Sequence, residues 1–246
     1  MSNLVLAHTR YQMIELFRVP ISLVASAFFP AASMLAFVVP FAADDPTAAT
    51  RASGSMMLVG AMSASLIGLS INVAQDREQP WNPYLRTLPA GPFPRFAGRI
   101  LTTMATMLIS VIPVLLIAAL FTEATISPAR LALGLGALLV GAVPFMLLGL
   151  FIGFLLPSKA AIAVSQVAFF PMAILGGLMM PVDFMPGFVK TISPYFPSRG
   201  AGELMWSATV GTSPSAIALI MLVAWTVVAG GLAVWAYRRD EGRRFS

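Results

Sequence analysis

The sequence predicts an all-α membrane protein: six transmembrane helices, a helix lying along the membrane before them, and a short amphipathic helix in the loop after the second span. Three observations predict it. Of 246 residues, 58% are hydrophobic and only 10% charged, against roughly a quarter charged in an ordinary soluble domain. Six runs, at 19–41, 53–74, 100–121, 131–156, 160–180 and 214–237, contain no Asp, Glu, Lys, Arg or His. Each is long enough to cross, since a spanning helix needs about 20 apolar residues when every backbone polar group must be bonded within the segment.

Residues 1–18 are too polar to span. His8, Gln12 and Glu15 fall on one side of a helix, with Leu6, Met13 and Phe17 opposite and Leu4 and Val5 blurring the pattern. An interfacial helix on the inner leaflet is expected, with a frayed tail as the alternative. Residues 19–74 hold the first two spans. The first run is too long for a signal-peptide core and has no small-residue cleavage site in the right place, so it is read as retained.

Residues 75–99, QDREQPWNPYLRTLPAGPFPRFAGR, are charged and proline-rich. Pro80 suits the first turn of a helix, and Asp76 and Glu78 favour that helix's positive end. Trp81, Tyr84, Leu85 and Leu88 then fall at i, i+3, i+4 and i+7, one apolar stripe that ends at Pro89. A helix of two turns is too short to be stable alone. It needs a surface, either the lipid headgroup layer or a groove in a partner protein.

Residues 100–180 hold the third to fifth spans. Polar side chains within the spans are Ser63, Ser65, Ser70 and Asn72 in the second, Thr102, Thr103, Thr106 and Ser110 in the third, and Ser165 and Gln166 in the fifth. They are expected mainly to bond between helices, and some to line a substrate path. Ser63, Ser65, Asn72, Gln166, Phe169 and Phe170 are the candidates for that lining, with the fifth span the best placed because the two phenylalanines and Pro171 follow Gln166. Gly149 and Gly153, spaced GxxxG, and the pairs Gly176–Gly177 and Gly230–Gly231 allow close helix approach. Residues 181–213 are too apolar and proline-punctuated for a simple solvated loop, yet interrupted by Lys190, Arg199 and Glu203. Short helices dipping into the outer leaflet and capping something are expected there, because non-helical backbone at that depth must be covered. The sixth span occupies 214–237 and an Arg-rich tail 238–246, completing a single transmembrane domain over 1–246.

Basic residues set the orientation. With both termini cytoplasmic, Arg10, Arg18, Arg77, Arg86, Arg95, Arg99, Lys159, Arg238, Arg239, Arg243 and Arg244 lie inside, while Arg51, Arg130, Lys190 and Arg199 lie outside. That excess is the positive-inside pattern. It accounts for the net charge of +5, so no nucleic-acid partner is expected. Other classes are excluded by absence. No GxxxxGK[ST] occurs, so this chain does not itself cradle ATP phosphates. Cysteine is absent and the single histidine, His8, lies outside the spans, which removes the usual metal and serine–histidine constellations. No catalytic or metal-ligating residue is expected. An ion-coupled transporter would carry an ionisable residue inside a span, and an intramembrane enzyme a dyad or metal ligands at membrane depth.

Asp76-Arg77-Glu78, then Trp81, Leu85, Pro89 and Gly98-Arg99 leading into a span, resemble the cytoplasmic loop of the type-2 ATP-binding-cassette exporter permeases. There an acidic-Arg-Glu start, a spaced Leu, a Pro and a Gly-Lys recur; Pro80 stands here where Gly is common, and Arg99 where Lys is. Pro181, Met185-Pro186, Ile192-Ser193 and Pro197 are similar to that family's re-entrant region before the last helix. The resemblance implies a half-transporter in a bacterial plasma membrane that pairs with a second copy or a paralogue. Each half would bind a separate ATPase subunit that holds the ATP and magnesium, with no cofactor in this chain. It further implies that Asp76, Arg77, Glu78, Trp81, Tyr84, Leu85 and Leu88 belong to a coupling helix seated on the ATPase. The second and fifth helices would line the substrate path, and Pro181, Met185, Pro186 and Pro197 would belong to an outer lid. Export of a hydrophobic or amphipathic small molecule, a drug or antibiotic, is the activity implied, with lipid or polysaccharide export as the alternative. The cysteine-free, Ala-rich, Arg-over-Lys composition suits a GC-rich bacterium.

Overall fold

A computed structural model describes residues 2–18, 20–80 and 93–242. Among them the secondary structure is helical, without strands. Helix α1 (Ser2–Arg18) is followed by α2 (Pro20–Ser33), a π-helical stretch (Met34–Val38) and α3 (Val39–Ala42), which cover the first predicted span. Helix α4 (Pro46–Met62), a second π stretch (Ser63–Gly68) and α5 (Leu69–Glu78) cover the second. Then come α6 (Phe93–Phe121), α7 (Pro128–Leu155) and α8 (Ser158–Leu175). Two 3₁₀ turns flank α9 (Gly187–Ile192), and α10 (Pro197–Val210) and α11 (Ala216–Gly242) complete the described chain. Five helices, Pro46–Glu78, Ala97–Phe121, Pro128–Leu155, Ser158–Leu175 and Ala216–Glu241, are long and apolar enough to cross a bilayer; Ala27–Ala42 is a shorter apolar helix.

Helix ends depart from the predicted limits for local reasons. The 33-residue helix Pro46–Glu78 is about 50 Å long at ~1.5 Å per residue and so outruns a hydrocarbon core of about 30 Å. Its start lies seven residues before the predicted span, because Asp45 caps it by accepting from the amides of Thr47 (2.8 Å) and Ala48 (3.1 Å), with Pro46 at the first helical position. Ser127 and Pro128 start α7 in the same way. Helix α8 stops earlier than expected. The amide of Gly177 bonds the carbonyl of Ile174 and that of Leu178 bonds Ala173, a Schellman closure that needs the left-handed backbone of Gly177, at φ +73°.

The core lies where α7 packs on the α4–α5 helix, on α10 and on α11. Phe145, Phe169, Leu58, Met62, Leu66, Met107 and Leu138 are among its fully buried side chains. A Cβ on Gly149 would overlap the Ser65 carbonyl oxygen, and one on Gly153 would lie 2.8 Å from the Ser70 carbonyl oxygen. The GxxxG pair therefore seats α7 against the π stretch Ser63–Gly68 and the start of α5. That stretch carries a wider turn than an α-helix, a feature often found at functional sites.

Hydroxyls within the spans mostly bond their own helices. Ser53, Ser65, Thr102, Thr103 and Thr106 each donate to a carbonyl four residues back, and Ser70, Ser110 and Ser165 to one three back. Among the described residues, bonds from these hydroxyls to other helices, expected to dominate, are fewer: Ser53 Oγ to Met34 Sδ at 3.9 Å, Ser65 Oγ to Met107 Sδ at 3.0 Å and Thr102 to Gln12 at 3.1 Å, while Ser55 accepts from Trp206 Nε1 at 2.9 Å. A carbonyl one turn back is always within reach, so it wins unless a neighbour is placed to compete.

Candidate functional site

One end of the bundle carries Asp76, Arg77 and Glu78 in the last turn of α5. Consecutive residues on a helix point about 100° apart, so the three side chains reach three different neighbours. Asp76 pairs with Arg99 near the start of α6. Arg77 places Nε 2.9 Å and Nη2 2.7 Å from Asp240 Oδ1 on α11, while Nη1 donates to the carbonyls of Gly153 (2.7 Å) and Leu156 (3.1 Å) at the end of α7. This pair is largely withdrawn from solvent, with the side chains of Arg77 and Asp240 17% and 4% exposed. Arginine suits it, because a rigid fork of five donors serves a carboxylate and two carbonyls together.

Glu78 reaches the start of α8. Its carboxylate accepts from the amide (2.8 Å) and the hydroxyl (2.6 Å) of Ser158. It is solvent-exposed and lies beyond the apolar span. The Ser158 hydroxyl and amide, with smaller help from Arg77 and Lys159, hold its carboxyl below the usual carboxylate range. A depressed folded pKa places the stabilisation above the unfolded value and removes it as pH falls through the folded one, so the contact is at full strength near neutrality. At this same end α1 lies on α6, where a Cβ on Gly98 would come 2.9 Å from His8 Cβ.

The candidate path residues separate by exposure. Asn72, Gln166 and Phe170 face outward from the chain, Ser63 is half-buried, and Ser65 and Phe169 are buried. Phe29 of α2 meets Phe169 and Phe170 edge-on, with centroids 6.1 and 5.8 Å away. The two phenylalanines of α8 lie 5.2 Å apart. An aromatic cluster thus joins the first and fifth predicted spans beside Gln166.

At the opposite end, the expected short helices are present between 181 and 213. Pro181 precedes the first 3₁₀ turn, Pro186 precedes α9, and Pro197 is the first residue of α10. Pro181 and Pro186 are exposed, whereas Met185 and Pro197 are buried. Helix α10 sinks between α4, α7 and α11, and it brings charge with it. Glu203, 8% exposed, accepts from Arg199 Nε at 2.7 Å and from the Ser215 amide at 2.5 Å. The guanidiniums of Arg51 and Arg199 lie 4.3 and 5.2 Å from the Trp206 ring centre.

Trp81, Tyr84, Leu85 and Leu88 lie outside the described residues. Sequence reasoning did not single out Asp240, Ser158 or Trp206. Asp240 had one visible signal, an acid set beside Arg238 and Arg239 in the tail.

With this geometry in view, comparison with known proteins gives two results. A family model described as "ABC-2 type transporter" matches residues 3–210. A Bacillus subtilis (strain 168) protein named as transport permease YvfS is 26% identical over 187 residues, which is 76% of each chain.

Proposed function

Given that the chain belongs to the ABC-2 type transporter family, we propose that it is the membrane subunit of an ATP-driven exporter that moves a hydrophobic or amphipathic small molecule outward across a bacterial plasma membrane. The observation that carries this reading is the family match through residues 3–210, which includes the loop after α5. In this reading α2, the π stretch and α3 form the first of six spans. The end holding Asp76–Glu78 is cytoplasmic together with both termini, and α9 and α10 form a re-entrant lid on the outer side. Residues 81–88 form a coupling helix seated on a separate ATPase subunit, which binds ATP and magnesium. Two permease chains, identical or paralogous, enclose the path. Asn72, Gln166 and Phe170 face outward from the single chain, as residues lining a path between two copies must. The chain carries no run of aromatic residues suited to stacking on sugars, which favours a small apolar cargo over a sugar polymer.

The test is co-expression with an ATPase subunit of the same transporter class, followed by purification and reconstitution. A complex should form that hydrolyses ATP and, in inverted vesicles, accumulates a hydrophobic dye or drug only when ATP is present. A chain that purifies alone, or moves cargo without ATP, would refute the reading. Accumulation of lipid-linked sugar in place of small molecules would refute the cargo class while sparing the rest.

A further inference from the structure

The turn between α7 and α8 consists of Leu156 and Pro157, and Pro157 leaves both helix ends incomplete. The Gly153 carbonyl would ordinarily accept from the amide four residues on, but residue 157 is proline and has no N–H. At the start of α8, Pro157 occupies the capping position and offers no side-chain acceptor. Both deficits are filled from α5. Arg77 Nη1 donates to the orphaned Gly153 carbonyl and to Leu156, and Glu78 accepts from the Ser158 amide and hydroxyl. The charges match the helix dipoles, a cation at the negative end of α7 and an anion at the positive end of α8.

We propose that Arg77 and Glu78 are positioning residues that cap the α7–α8 turn from α5, so that movement of the loop after α5 is passed to α8 and the aromatic cluster it carries. This rests on the exporter reading above for its role in transport, but not for its geometry. The two residues then act inside the chain, not as a surface presented to the ATPase. Asp240 anchors the rest of the Arg77 fork to α11, so α5, α7, α8 and α11 share one joint. Hydrogen bonds to a charged group are shorter and stronger than neutral ones, and a pair of them fixes the geometry of the helix end they hold.

The experiment uses the complete permease–ATPase complex in lipid vesicles, with Glu78→Ala, Ser158→Ala and the double variant. The expected result for Glu78→Ala is retention of the ATPase subunit together with a fall of about threefold in cargo moved per ATP hydrolysed, the scale of losing two solvent-exposed hydrogen bonds to a carboxylate. The double variant should be no worse than Glu78→Ala, and Glu78→Gln, which keeps an acceptor oxygen, should recover part of the loss. Loss of the ATPase from Glu78→Ala, or unchanged transport per ATP, would overturn the proposal. A second measurement needs no ATPase. In the permease alone, spin labels at Gln75 and Lys159 should give a distance distribution that broadens in Glu78→Ala, and an unchanged distribution would overturn the joint. Failure of the exporter reading would instead show as a wild-type chain that binds no ATPase, with the spin-label result still deciding the joint.

Discussion

Gly149 shows how much one missing methyl group decides. A Cβ there would overlap the Ser65 carbonyl oxygen, so any side chain would displace the π stretch Ser63–Gly68. Gly149→Ala should cost about 1–3 kcal/mol by overpacking, read as a lowered midpoint in thermal unfolding of the detergent-solubilised protein. The same change at Gly136, which has nothing within 4 Å of its Cβ position, should leave the midpoint unmoved, and equal effects would refute the close-contact account. The GxxxG spacing was legible in the sequence as a packing face, but its partner was not. A π stretch has no strong local signature, since it arises from how Ser63–Gly68 packs and not from the residues alone. Arg77 and Asp240 illustrate the same limit. The pair spans 163 positions, and nothing near either residue announces the other. Pro157, which the sequence reading passed over, carries a more local signal, because a proline between two helices removes a donor wherever it stands.

Among elements, the long apolar helices were the most legible, since charge-free runs of about 20 residues have one stable solution in lipid. Their ends were less so. Asp45 and Ser127 extend helices beyond the apolar runs by capping them, and Gly177 cuts α8 short. Prolines 30, 113, 144 and 171 lie inside helices, as packing against neighbouring helices permits. The stripe Trp81–Tyr84–Leu85–Leu88 lies outside the described residues and is expected to be helical from its period alone. Replacing Trp81 and Leu85 together by Ala should leave the spans folded and weaken ATPase association in pull-down by about tenfold or more, as loss of a buried aromatic anchor does at an interface. Undiminished association would place that stripe on the lipid surface. Glu78→Ala, by contrast, should leave the ATPase bound while transport per ATP falls, which would separate docking from the contact at the α7–α8 turn.

On the scale of the whole molecule, the helix Pro46–Glu78 connects two charged clusters. At one end lies the joint of Asp76, Arg77 and Glu78, and at the other Arg51 and Ser55 meet Trp206 of α10. The absence of cysteine makes the orientation directly measurable with single cysteines and an impermeant thiol reagent. Cysteine at Gln75 or Arg238 should label only from the cytoplasmic side, and cysteine at Asp44 or Phe184 only from outside; the reverse pattern would invert the topology. The burial of α10 has a further consequence, for the making of the chain. Arg199 and Glu203 bar α10 from lipid on its own, and the Ser215 amide that completes the Glu203 site, like the Ala218 carbonyl against which Gly200 packs, is synthesised afterwards. Burial of α10 is therefore complete only once Ser215 and the start of α11 are in place beside it.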